Sequence, residues 1–419
     1  MSERRGAGTP RSSERGPSGP APGAESGNVA ALAGIRVVDL TRARAGPTCT
    51  RQLSDFGAEV VHVVAPSGGD FLGNSDAANL HRNKRSVALE LHHPDGVEAL
   101  RRLTDRADVF VENMRPSVKH RLGIGPEVLM GRNPRLVYAS LSGFGQSGPY
   151  TERPGLDQVA QGMGGLMSVT GPPGSGPWRV GIAISDTAAG TFLTQGVLAA
   201  LFARERTGRG QWVSTSLLEA MVNLMDFQAC RWLTDGVVPV QEGNDHPTIF
   251  PMGAYRCADG WINIAGAMAL ERFLDVIGAR QLLDDPRFAD ADARRANRVA
   301  FNEACETRLL TETAEHWTEA LNAASIAAGP VYALDEVFAD PQVQHLALEE
   351  VVEDGGRPVH VLRHPVTLTE TPTSIRSGVA AGGAQTREVL AEAGYDAATI
   401  EALLASGAAA QAKSSAPSR

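Results

Sequence analysis

What most constrains this chain is an alternation in its first half. Short runs of β-branched residues are separated by amphipathic stretches of helical length. Ile35–Leu40, Glu59–Val64, Ser86–Leu91, Asp108–Glu112 and Arg135–Leu141 read as strands. Pro47–Phe56 and Pro94–Ala107 read as helices, each opening on a proline, whose missing N–H costs nothing there. Strands alternating with helices predict an α/β fold with a mostly parallel, Rossmann-like sheet covered on both faces. Val180–Ser185 reads as a further short strand. It leads into a long helix, Thr187–Arg206, whose apolar positions (Ala188, Ala189, Phe192, Leu193, Val197, Leu198, Leu201, Phe202) recur at three- and four-residue steps. Gly208 and Gly210 stop that helix. Gln211–Ser216 is the next predicted strand and Leu217–Leu233 the next helix.

The character changes near Gly236, where loops replace the alternation. Trp261–Ala265 reads as a strand and Leu270–Ile277 and Thr313–Ala323 as helices, which predicts a smaller α+β domain with its linkers over 236–345. Strand-like pieces (Val359–Leu362, Val366–Thr369) and a helix pair (Thr386–Ala393, Ala397–Ala405) follow. Residues 1–28 and 408–419 are rich in Ser, Gly, Pro and Ala and read as disordered tails.

The net charge of -9 argues against a nucleic-acid partner. An anionic ligand would need a local cluster of Arg and Lys or a helix N-terminus. No run approaches eighteen apolar residues and no signal-peptide core follows the N-terminal arginines, so neither membrane insertion nor secretion is expected and the location reads as cytoplasmic. Four scattered cysteines form no Cys-x-x-Cys pair.

Gly143-Phe-Gly145-Gln-Ser-Gly148 matches a dinucleotide-binding pattern, but Pro149, Pro154 and Gly155 preclude the helix that pattern needs, so a glycine loop bordering an active site is the reading preferred. His92-His93 and His360…His364 lack a third ligand, and no metal site is expected. There is no nucleophile elbow and no P-loop. Arg42, Arg44, Arg82, Lys84 and Arg85 border predicted strands, and would either grip phosphates or sit on a solvated surface. Asp186 ends a predicted strand and starts the long helix. It reads as an N-cap, held ionised by helix-terminal amides, and an ionised carboxylate held in that way can also attack a carbonyl. Asp157, with Gln161 beyond it, is either a cap or a neighbour of that site.

Taken in order, these pieces resemble the family III CoA-transferases, a group that also includes the α-methylacyl-CoA racemases. The resemblance spans about Leu32 to Leu404. It rests on Leu-Ala-Gly-Ile-Arg-Val-Val-Asp-Leu-Thr-Arg (32–42), Ala-Gly-Pro (45–47), Asp-Phe-Gly-Ala-Glu-Val-Val (55–61), Gly-Gly-Asp (68–70), Asn-Lys-Arg-Ser-Val (83–87) and Ala-Asp-Val-Phe-Val-Glu-Asn (107–113). Arg-Leu-Gly (121–123), Gly-Phe-Gly-Gln-Ser-Gly-Pro (143–149), Ala-Leu-Phe-Ala-Arg-Glu-Arg-Thr-Gly-Arg-Gly-Gln (200–211) and Arg-Glu-Val-Leu-Ala-Glu-Ala-Gly-Tyr (387–395) extend it.

The resemblance implies an interlocked homodimer whose large domain comes from both ends of the chain, here 29–235 and 346–407. It implies Asp186 as the nucleophile, with Asp157, Gln161, Gly143 and Gly145 in support. It places coenzyme A near Arg42, Arg44, Ala45, Leu89, Asn113, Met114 and Arg121, as a thioester substrate with no prosthetic group, and a carboxylic acid as the second substrate. The chain departs from the family pattern at Val63-Val64-Ala65-Pro66, which lacks the acidic residue usual there, and at Arg44, Met114 and Ser117. In the racemase branch a histidine precedes the Asp of the Gly-x-Asp motif. Leu156 stands there instead, which favours transfer over racemisation. A CoA-binding protein without catalysis is the third reading.

Overall fold

A computed structural model describes residues 30–67, 74–354 and 356–412. The predicted N-terminal tail and the Gly-Gly-Asp segment at 68–70 lie outside the described residues. Twelve strands are formed among those described: β1 (Arg36–Leu40), β2 (Glu59–Val64), β3 (Lys84–Leu89), β4 (Val109–Glu112), β5 (Val137–Ser142), β6 (Trp212–Ser216), β7 (Met252–Arg256), β8 (Trp261–Ala265), β9 (Ala328–Pro330), β10 (Glu349–Asp354), β11 (Arg357–Leu362) and β12 (Ala409–Ala410). The main sheet has seven strands in the order β12-β3-β2-β1-β4-β5-β6. All its pairings are parallel except that of β12 with β3.

Alternate residues along these strands enter two cores. Val38, Leu40, Val61, Val63, Val87, Leu89, Phe110 and Tyr138 face one side, against Val97 and Leu100 of the Pro94–Thr104 helix. Val37, Val60, Val109, Val111, Val137 and Ala139 face the other, against Leu53 of the Ala45–Asp55 helix and Leu193, Val197 and Leu201 of the Ile184–Thr207 helix. A sheet buried on both faces explains why these strands read as unbroken apolar runs. Each fully buried Leu or Val contributes roughly 1.5–3 kcal/mol. Val389, Leu390, Ile400 and Leu403 complete the first core, so the chain returns to the sheet at its end. A separate core forms around the antiparallel β7-β8-β9 sheet, from Ile262, Ile264, Phe273, Phe301, Trp317 and Leu321 among others.

Several local expectations need correction. Val180–Ser185 is not a strand. Its backbone bonds to a side chain instead: Val180 N donates to Gln161 Oε1 (3.0 Å), and Ile182 O accepts from Gln161 Nε2 (3.2 Å). The long helix therefore starts earlier, at Ile184. Leu217–Leu233 is two helices, Leu217–Leu224 and Asp226–Asp235, because Asp226 takes a left-handed φ of +43°. Pro47 is the third helical residue, with Arg44 as the cap; its missing N–H is harmless anywhere in the first turn. No strand forms over Val366–Thr369. Ala408–Ala410, assigned to the C-terminal tail, are ordered: Ala409 pairs with Leu89, and both Ala408 and Ala409 are buried.

Candidate active site

The strand order reverses direction between β1 and β4, whose following loops leave on opposite sides of the sheet. In open parallel sheets a crevice opens at that switch point, outside the carboxyl ends of the strands. The turn after β1 forms one wall of it. Beneath that turn lies Asp39, fully buried and accepting from Thr41 N (3.0 Å), Thr41 Oγ (2.6 Å), Thr50 Oγ (2.7 Å) and Lys84 Nζ (2.9 Å). Burial pushes its pKa up, but Lys84, His62 and the hydroxyl donors outweigh this and hold the carboxyl well below the usual range. Asn113, just past β4, closes the crevice from the other side: its Oδ1 accepts from Arg42 N (3.0 Å) and its Nδ2 donates to Arg42 O (2.8 Å). Ala43 adopts φ +60°, which turns the chain so that Ala45 begins the next helix.

The Ile184–Thr207 helix crosses the helix begun at Ala45 so closely that a Cβ on Gly190 would lie 2.4 Å from Ala45 O. Gly190 is one turn beyond Asp186. The Asp186 carboxyl therefore sits beside the turn carrying Arg44 and Ala45. It occupies the third position of its helix and is not the cap. Asp157 takes the capping role from another helix: Oδ1 accepts from Ser185 N (2.9 Å) and Ser185 Oγ (2.8 Å), while Oδ2 accepts from Gln161 Nε2 (2.8 Å) and from Arg179 Nη2 (3.4 Å). Asp186 makes none of these bonds. Partial burial and the Asp157 charge raise its pKa to about 6, against the pull of Arg44. This reverses the expectation that helix amides would hold it low.

A group with this pKa is mostly ionised at pH 7 and neutral by pH 5. If the carboxylate is the attacking group, kcat/KM falls about tenfold per pH unit below about 6. A pH–rate profile of free enzyme with saturating second substrate checks this. An acid limb at the ordinary aspartate value would contradict it.

Gly143 and Gly155 touch through their backbones: a Cβ on Gly143 would lie 2.6 Å from Gly155 Cα. The glycine loop thus abuts the segment leading into Asp157. Gly145 has φ +95°, a conformation open to glycine, and no helix starts at 143–148. The structure therefore groups Arg42, Arg44, Ala45 and Asn113 at the crevice, and Gly143, Asp157 and Gln161 around the Asp186 helix start, while Gly145 lies farther along the loop, bonded to Ser142.

The remaining predicted residues are placed differently. Leu89 is a buried core side chain at the end of β3, two strands from β1. Met114 is partly buried against that same core, and Arg121 is exposed at the end of the Pro116–Arg121 helix. Arg82, Lys84 and Arg85 do not line the crevice, because they lie at the amino end of β3 and are already paired. Arg82 is fully buried and forked on Asp55 (3.1 and 2.8 Å), and Arg85 pairs with Glu388 and Glu392. The histidines have local partners: His93 Nδ1 caps its helix through Asp95 N, His92 pairs with Glu90, and His364 Nδ1 accepts from Val366 N. Among the described residues no three His, Cys, Asp or Glu side chains are grouped to hold a metal, and no helix is long and apolar enough to cross a membrane. Sequence reasoning missed Ser185 and Arg179. Neither lies in a periodic pattern, and each is linked to Asp157 across more than twenty residues of sequence.

The model of CoA-transferase family III matches residues 32–386. The succinate–glutarate CoA-transferase of Agrobacterium fabrum is 34% identical over 380 residues, covering 86% of this chain and 95% of that one. The acetyl-CoA:oxalate CoA-transferase of Acetobacter aceti is 35% identical over 335 residues, covering 77% and 86%. A crystal structure of a CAIB/BAIF family protein from Brucella suis superposes with a TM-score of 0.79 at 32% identity, covering 87% of this chain and 99% of that one.

Proposed function

We propose that this chain, which belongs to CoA-transferase family III and is a CoA-transferase, moves coenzyme A between two small dicarboxylic acids through covalent attachment to Asp186. The observation that carries the reading is the half-buried Asp186 carboxyl beside the switch-point crevice, at the start of a helix capped by Asp157. Asp186 attacks the donor thioester carbonyl; the C–S bond breaks and CoA leaves as thiolate. The product is a mixed anhydride of the donor acid and Asp186. The thiolate then attacks the aspartyl carbonyl, releasing the donor as carboxylate and leaving Asp186 as a CoA thioester. The acceptor carboxylate attacks that thioester, and the displaced thiolate takes the acceptor acyl group and frees Asp186. Every intermediate is an activated acyl group, so no step is steeply downhill.

The crevice lined by Arg42, Arg44, Ala45 and Asn113 is the proposed CoA site. By their names the relatives act on succinate, glutarate, oxalate and acetyl-CoA, so three of the four acids are dicarboxylic. Arg179 suits the second carboxylate of such a substrate: its 3.4 Å contact with Asp157 leaves guanidinium donors unspent, and it is only partly covered. The test is exchange of isotope-labelled CoA among succinate, glutarate and oxalate by the wild-type protein. Exchange with at least one pair supports the reading. Solvent deuterium uptake at the α-carbon of an acyl-CoA, without exchange, would replace it with racemisation.

We further infer a homodimer. Trp232, Leu233, Val238 and Val240 are 54%, 80%, 68% and 60% exposed along one short segment, an apolar run of the kind a partner covers. Sedimentation is expected to give twice the 44.2 kDa chain mass; a single-chain mass at micromolar concentration would refute it.

A further inference from the structure

A buried polar network around Lys119 joins the β4 turn, which forms one side of the crevice, to the glycine loop after β5. Lys119 and Glu112 are both fully buried. The ammonium has three N–H donors, and three acceptors surround it: Glu112 Oε1 (2.7 Å), Ser140 Oγ (2.9 Å) and Gln146 Oε1 (2.5 Å). The Trp212 ring covers it at 5.4 Å, and Trp212 Nε1 donates to Ser140 Oγ (2.9 Å). Each acceptor belongs to a different element. Glu112 ends β4, and its second oxygen accepts from Met114 N (2.8 Å), fixing the turn at Asn113 and Met114. Ser140 lies within β5. Gln146 belongs to the glycine loop, where it also donates to Ser142 Oγ (3.2 Å), and Ser142 Oγ closes the loop on Gly145 O (2.9 Å).

We propose that Lys119 is a positioning residue that locks the glycine loop to the β4 turn, so that the loop bordering the Asp157–Asp186 site is held in register with the crevice. Gly143 leans on Gly155, two residues before Asp157, and Asp157 fixes Ser185, the neighbour of Asp186. A path of direct contacts therefore runs from the β4 turn to Asp186, and Lys119 is its buried joint. Lys119 touches neither proposed reactant. Its effect falls on the geometry of the chemical step and not on CoA affinity, because Asn113 keeps its own bonds to Arg42 when the lock is cut. The inference rests on the placement of chemistry at Asp186.

Replacing Lys119 directly would strand Glu112 in the interior and threaten folding. Gln146→Leu removes the loop's acceptor for Lys119, together with the Nε2 bond to Ser142, and leaves the ammonium its two other acceptors; Gln146→Glu restores the acceptor for Lys119 without that donor. Wild type and both variants are compared for kcat, for KM toward the acyl-CoA and for melting temperature. Gln146→Leu is expected to lose about ten- to a hundredfold in kcat at unchanged KM and near-unchanged melting temperature, since a misplacement of about 1 Å has that effect. Gln146→Glu is expected to recover most of it. Equal kcat for all three, or a kcat loss that follows melting temperature or is not rescued by Glu, would overturn the lock. Absence of CoA transfer in the wild type would instead overturn the functional reading, so the two failures are distinguishable.

Discussion

Asp186→Asn loses at least about a thousandfold in kcat, or about 4 kcal/mol of barrier, while keeping its fold and its CoA affinity. The amide is isosteric with the carboxyl but cannot form an acyl anhydride. Stability moves the other way. The folded protein raises this carboxyl from its ordinary 3.8 to about 6, so it binds a proton more tightly folded than unfolded. The linkage sign is then negative: stability falls as pH rises through that window, and at pH 7 the ionised group is a burden to the fold. The uncharged variant should melt at the same temperature or higher. Reduced activity accompanied by a lower melting temperature would indicate a structural role for Asp186.

The second large effect is on stability. Lys84→Met leaves the Asp39 carboxylate in a fully buried site without its cation, 2.9 Å from where the ammonium stood. Removing one partner of such a pair costs about 3–5 kcal/mol, a large part of a typical domain's 5–15 kcal/mol. Asp39→Asn combined with Lys84→Met restores much of this, because no charge is then left unpaired. Chemical denaturation of the wild type and the two variants measures it. A double variant as unstable as the single one would show that the hydrogen bonds to Thr41 and Thr50, and not the charge pair, hold the turn beneath the crevice.

The sequence was most legible where local pattern and tertiary role agree. Strands β2 and β8 match their predicted limits residue for residue, because a run buried on both faces or alternating strictly has few other placements. The helix stop at Gly208 matches too, with φ +71° that glycine adopts freely. Reading failed where a distant side chain replaced the expected backbone partner. Val180–Ile182 looks like a strand, but Gln161 takes its hydrogen bonds. Asp186 looks like a cap, but Asp157 caps its helix from another segment. Arg82 and Lys84 look like phosphate ligands in a charged run, yet both are buried against acids from other strands and helices. The break at Asp226 follows no glycine or proline, so nothing local announced it. Asp186 is singled out in the sequence through the ordered set of family segments; its chemical setting, with Asp157 and Arg44 acting in opposite senses, needed the fold.

The most direct test of covalent transfer at Asp186 is mass spectrometry of the intact protein, quenched during turnover with a dicarboxyl-CoA thioester, followed by mapping of the modified peptide. The account predicts a CoA or acyl adduct on the peptide containing Asp186, formed in wild type and absent from Asp186→Asn. An active wild type that carries no adduct, or carries it on another residue, would contradict it.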